Sequence, residues 1–186
     1  MEADWEFELG ANAPVMDAAW AGLVDLRRWP ELAWHLPEAE QLPALAEALV
    51  RLNSADSPVW SAKCDYWPVL AAGEFDPDEL DAPPECAEHA TGCYIDLLAA
   101  SEGQWLNPEV MEKACKRWCG LLHSVTLRGC RVDLVIRRAI LAPEQTELGI
   151  TAYLTACGAS RTEAARRLQD ALAVFADALR GHSTIE

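Results

Sequence analysis

The sequence is short of positive charge. Its 186 residues hold 15 Lys and Arg against 30 Asp and Glu, a formal net charge of −15, and only three of the bases are Lys. The deficit is local: residues 1–100 carry 20 acidic and 4 basic side chains, whereas residues 101–186 carry 10 and 11. A surface this negative repels phosphate backbones and anionic lipid, which excludes nucleic acid and membrane surfaces as partners. Such a surface either keeps the protein soluble or docks a basic protein. Long apolar runs are missing too, since none approaches the ~20 residues of a membrane-spanning helix. The acidic start, with Glu2, Asp4, Glu6 and Glu8, has neither the positive stretch nor the apolar segment of a secretory leader. Seven cysteines without such a leader predict reduced thiols and a cytoplasmic location.

Recognisable catalytic motifs are also absent. There is no phosphate-binding P-loop, no G-x-G-x-x-G, no G-x-S-x-G and no H-E-x-x-H. These absences remove the common nucleotide, dinucleotide, hydrolase and zinc-peptidase chemistries. No cofactor is expected. The acidic stretch 71–91 has no central Gly and no Glu at a twelfth position, so it does not read as an EF-hand and is expected to be a solvated loop.

What the sequence does have is core material: 51% hydrophobic residues and eight Trp. Abundant Ala and the preference for Arg over Lys match the output of a GC-rich bacterial genome. The clearest pattern runs from Gly129 to Arg180. Cys130, Val132, Leu134 and Ile136 alternate with Arg131, Asp133, Val135 and Arg137, the period of a half-buried strand. A turn at Pro143-Glu144-Gln145 predicts a hairpin with a second strand from Leu148 to Cys157. Ser160 and Glu163 then form a capping box. Ala164, Leu168, Leu172, Phe175 and Leu179 recur at helical spacing.

The same rules predict strands at Trp5–Leu9, Val59–Trp67 and Cys93–Leu98, and helices at Glu38–Asn53 and from Asn107 to about Leu122. A weak helical pattern runs from Asn12 to about Asp25. Strand, strand, helix thus occurs twice. The fold class expected is one α+β domain over residues 1–186: an antiparallel sheet of four to five strands with helices packed on one face. Its order is ferredoxin-like βαββαβ extended by a C-terminal strand and helix. The N-terminal strand would lie in the middle of the sheet and the hairpin strand from Leu148 at an edge.

Two constellations could carry chemistry. If Val132, Leu134, Trp60, Cys64, Ile95 and Leu97 point at the helices, then Lys63, Asp65, Tyr94, Asp96, Arg131, Asp133, Arg137, Thr151 and Tyr153 share the opposite, open face. Three of those strands contribute an Asp. Grouped carboxylates hold a divalent metal or act as an acid/base pair, whereas dispersed ones form cross-strand ion pairs with Lys63, Arg131 and Arg137. The second constellation is Cys115-x3-Cys119-x3-His123, three ligand types stacked on one helix face, with Cys86, His89 and Cys93 upstream. Against a metal site, Cys93, Cys115 and Cys130 fall on apolar faces, where cysteine acts as a small hydrophobe.

The function expected is that of a non-enzymatic binding protein for a basic protein partner, with self-association left open. Small acidic immunity proteins that neutralise a toxin share this charge and size. The alternative is a metal-binding protein or small enzyme built on the open face or on the Cys/His set.

Overall fold

The computed structural model describes residues 1–70, 73–83 and 86–181. Part of the acidic stretch 71–91, and His182, therefore lie outside the described residues. The fold is α+β: a mixed, six-stranded sheet with helices on one face. The strands are β1 (Glu2–Phe7), β2 (Met16–Asp17), β3 (Val59–Leu70), β4 (His89–Ala99), β5 (Cys130–Ala142) and β6 (Gln145–Gly158). The helices are α1 (Pro37–Gln41), α2 (Pro43–Leu52), α3 (Pro108–His123) and α4 (Arg161–Arg180). None is long and apolar enough to cross a membrane.

The strand order is β1-β5-β6-β4-β3, and the two-residue β2 extends the β1 side of β5. This corrects the expected arrangement in three respects. β1 runs parallel to β5, so the sheet is mixed rather than antiparallel. β1 lies at an edge, not in the middle. The hairpin strand β6 lies at the centre, not at an edge, so the order is not the ferredoxin-like one. Burial explains the reversal. β6 is covered on both faces along most of its length, and a strand apolar on both sides belongs inside a sheet. β1 leaves Asp4, Glu6 and Phe7 exposed, as an edge tolerates. The doubled strand-strand-helix pattern is real: β3–β4–α3 and β5–β6–α4 meet where β4 and β6 pair antiparallel.

The helices form as their sequences require. Asn107 caps α3 by accepting a hydrogen bond from the Glu109 N–H at 2.9 Å, with Pro108 at the first helical position. Ser160 caps α4 by accepting from the Glu163 N–H at 3.2 Å. The helix expected over 38–53 is broken at Pro43, which lacks an N–H and pushes Leu42 out of helical geometry (φ −133°, ψ 84°). Leu42, Leu45, Leu49 and Leu52 are nevertheless all buried on one stripe. α4 lies over β6 and β4 at the centre of the sheet, and Leu168, Leu172 and Phe175 are inaccessible to solvent.

The helical reading of residues 12–25 is wrong. They cross the sheet face turned away from the helices as a strap. Met16 and Ala18 alternate with exposed neighbours, and both are buried against Trp60, Ala62, Leu98 and Ala139. Gly149 makes room: a Cβ there would sit 2.9 Å from Met16 Sδ and Cε. The strap also corrects the facing of β3. A bulge falls between Ser61 and Lys63. Before it, Trp60 and Ala62 turn to the strap, not to the helices. Ser61 instead turns to the helix side, where the Asn53 amide donates to Ser61 Oγ (2.7 Å) and Asn53 Oδ1 accepts from the Ser61 N–H (3.1 Å).

The acidic stretch is less solvated than expected. Its described part contains a 3-10 turn, Asp78–Leu80, whose Leu80 is buried with Ala82, Ala90 and Cys157. The Leu80 carbonyl accepts from the Gly129 N–H at 2.9 Å, while the neighbouring acids stay at the surface.

Candidate functional site

The register aligns the predicted polar residues in rows across the sheet face opposite the helices. One row reads Asp4, Asp133, Tyr153, Tyr94, Asp65 across β1, β5, β6, β4 and β3. The next reads Glu6, Val135, Thr151, Asp96, Lys63. All nine residues assigned to this face, Lys63, Asp65, Tyr94, Asp96, Arg131, Asp133, Arg137, Thr151 and Tyr153, line three neighbouring hollows on the open side and edge of the sheet. The largest, about 460 Å³, lies at the β3 edge under the strap and includes Trp20, Lys63, Asp65 and Tyr94. A second, about 270 Å³, lies on the other side of the strap, with Pro14, Met16, Tyr94, Asp96, Arg137, Thr151 and Tyr153 in its walls. The third, about 170 Å³, holds Asp4, Glu6, Arg131 and Asp133. Tyr94 is common to the first two.

The middle of the face is aromatic. Trp67, Tyr94 and Tyr153 are half-exposed and in mutual contact, with ring centroids 5.7, 6.5 and 6.0 Å apart. Trp67 is the last residue of the strand expected from the sequence, and β3 runs on past it to Leu70. Pro68 is tolerated there because β3 is an edge strand.

Arg137 organises the β5 side. Its Nε donates to Glu8 Oε2 at 2.8 Å, and its NH1 donates to Thr151 Oγ1 and Tyr153 OH, both at 3.0 Å. The Thr151 hydroxyl in turn donates to Asp96 Oδ1 at 2.6 Å. Asp96 is only 8% exposed. Burial pushes its carboxyl above the usual range, against the opposing pull of the Thr151 hydrogen bond and the charges of Arg137 and Lys63. Tyr94 is pushed up to about 12, first by burial and then by Asp96 and Asp65. Asp133 is also held high by burial, although Arg131 Nε donates to it at 2.8 Å and opposes the shift. Arg131 is shared further with Glu79 (3.7 Å) and Asp4 (3.9 Å). Lys63 lies over the Trp20 ring, 5.7 Å from its centroid.

The three aspartates do not converge. Asp65 and Asp133 share a row but are separated by three inter-strand spacings, roughly 14 Å at the usual ~4.8 Å per strand. Asp96 lies in the next row, bonded to Thr151. Nor does α3 present Cys115, Cys119 and His123 as a ligand set. Cys115 and Cys119 are buried, and desolvation pushes their thiols up to about 12 and about 11. His123 is half-exposed, with Nε2 accepting from the Ala3 N–H at 3.3 Å, which ties β1 to the end of α3. Among the described residues, no group of three or more His, Cys, Asp or Glu is placed to hold a metal ion. Cys93 and Cys130 are buried in the core.

Sequence reasoning missed the strap, Glu8 and Trp67. The strap had a signal, because Met16, Ala18 and Trp20 recur at period two. Trp67 had one as well, since it continues the Lys63, Asp65 alternation. Glu8 had none beyond its place in the acidic N-terminus. Compared with protein-family models, curated proteins and solved structures, the chain has no match.

Proposed function

We propose that the protein is a non-enzymatic binding protein that holds a basic protein partner on the sheet face turned away from its helices. The observation that carries this reading is the row Asp4, Asp133, Tyr153, Tyr94, Asp65, with touching aromatic rings in the middle and carboxylates on both flanks. An aromatic face attracts a guanidinium or ammonium by about 0.5–1 kcal/mol when exposed and by ~2 when desolvated. A neighbouring carboxylate adds a charge-assisted hydrogen bond. Glu6 and Asp65 have no cation paired with them among the described residues, and Arg131 is divided among three carboxylates. The face therefore has acid to spare, which suits Arg and Lys side chains of a partner. Size and charge fit the immunity-protein class. The unpaired state of all seven thiols suits a reducing cytoplasm.

Calorimetric titration with an arginine-rich peptide tests the reading. Saturable binding is expected at about 20 mM salt, weakening as the Debye length shrinks. Trp67→Ala should lower the affinity by roughly tenfold, about 1.4 kcal/mol. No binding at low salt, or binding indifferent to Trp67, contradicts it.

One observation favours a second reading. Asp96 is a buried carboxyl with a raised pKa in the wall of a hollow that also contains Tyr94, Tyr153 and Arg137. Such a group holds a proton more readily than an exposed aspartate, as an acid/base residue needs. A small polar ligand bound there would be lost in Asp96→Ala but not in Trp67→Ala.

A further inference from the structure

The opposite side of the molecule carries a cleft of different character. It lies between α3 and the 101–107 loop, has a volume of about 420 Å³, and is lined chiefly by Trp105, Trp118, Val110, Ala114, Lys113 and Arg117. The last four come from one helix face at i, i+3, i+4 and i+7, so their placement follows from helical geometry alone. The loop is pinned. The Leu148 N–H donates to the Trp105 carbonyl at 3.1 Å, and the Gly103 N–H donates to the buried Glu147 carboxyl at 2.8 Å. The back wall is aromatic: Trp105 and Trp118 meet edge to face, centroids 6.4 Å apart at 70°.

Two features point to a ligand and to its charge. Trp118 is 2% exposed, and its indole Nε1, like Arg117 Nε, is buried without a hydrogen-bond partner. Buried donors are nearly always satisfied, and both of these are closed to solvent, so an acceptor that reaches them must open the cleft wall. The charged residues in the lining are Lys113 and Arg117, with no acid among them, in a chain of net charge −15. Neither cation has an ion-pair partner among the described residues, while their neighbour Lys116 is paired with Glu112 at 2.5 Å. We infer that this cleft binds an organic carboxylate with a flat aromatic body. The body lies over Val110 and Ala114, in front of the Trp105 and Trp118 wall, and the carboxylate takes hydrogen bonds from Lys113 and Arg117, reaching the Trp118 indole only as that wall opens. The site is independent of the basic-partner face and has opposite charge preference.

The test uses 2-naphthoate and the full chain, by calorimetry with tryptophan fluorescence as a second readout. Saturable one-to-one binding is expected. The uncharged 2-naphthamide should bind at least about tenfold more weakly. The variant Lys113→Gln with Arg117→Gln should lose at least about tenfold in naphthoate affinity with an unchanged circular dichroism spectrum. Trp118→Phe, which removes only the indole donor, should lose a smaller factor. Absence of binding at millimolar naphthoate overturns the proposal. So does equal affinity for the amide, a comparison that needs no variant. Loss of binding through Arg137→Gln in place of the α3 substitutions would also overturn it, because the anion would then sit on the sheet face.

Discussion

Tyr94 and Tyr153 stand directly opposite each other in the β4–β6 ladder, ring centroids 6.0 Å apart, and Trp67 closes on both. These half-exposed rings interrupt a row whose flanks are carboxylates. That relationship ties the register of the sheet to the proposed binding of cations.

Arg137 holds the β5 end of this face, so its removal should be felt in stability. Its side chain is 14% exposed and bonds Glu8, Thr151 and Tyr153. Arg137→Ala should cost about 1.5–3 kcal/mol, the range for hydrogen bonds to charged groups. Arg131→Ala removes ion pairs to the exposed Asp4 and Glu79 and to the partly buried Asp133, and should cost less, about 1 kcal/mol. Urea denaturation of both variants decides the matter. Equal, near-zero effects would mean that the face is as open as the sequence suggested.

The strap is held by close approach at Gly149. Gly149→Ala brings a Cβ to 2.9 Å from Met16 and 3.1 Å from the Leu97 carbonyl. It should cost about 1–3 kcal/mol by overpacking. In a Met16→Ala background the same change should cost less, since part of the clash is gone. Strict additivity in the double-mutant cycle would show that the strap does not rest on Gly149.

Asp96 gives a pH signature. Its carboxyl binds a proton more readily in the folded protein than in the unfolded chain, because burial raises its pKa from 3.8. Its cost to stability is therefore full above the raised folded pKa and is relieved as pH falls through that value. Asp133 is shifted the same way. Asp96→Asn should be more stable than the parent at neutral pH, and the advantage should shrink on acidification toward pH 3.8. Denaturant midpoints along a pH series measure it. An advantage that grows on acidification would reverse the sign.

The centre of the core lies under α4. Phe175 is inaccessible, so Phe175→Ala should cost about 3–5 kcal/mol. Ser160→Ala removes only the cap and should cost ~1 kcal/mol. Thermal unfolding should separate the two clearly, and similar small shifts would place α4 at the periphery.

Much of this was legible in the sequence because it is local. The alternation over Cys130–Arg137 fixed which side chains of β5 face the helices. Ser160 and Glu163 fixed the start of α4. The nine polar face residues follow from period two alone. Strand order was not legible, because it depends on which strands are apolar on both sides, and β6 revealed that only through its small residues Gly149, Ala152 and Ala156. The β3 bulge escaped for a similar reason. One extra residue at Ala62 swaps the faces of Trp60 and Ser61, and no local signal marks it. The α3 cleft was hidden because Val110, Lys113, Ala114 and Arg117 flank the stripe that forms the core.

The central claim is that this face binds cations through its aspartate-flanked aromatic row. The most direct measurement compares the affinity of an arginine-rich peptide for two variants of equal charge. Asp4→Asn with Asp65→Asn neutralises the ends of the row. Glu40→Gln with Glu47→Gln neutralises exposed acids on α1 and α2, away from the face. The account predicts a loss of roughly tenfold or more for the first variant and less than about twofold for the second. Equal losses would mean that diffuse negative charge, not this row, attracts the peptide.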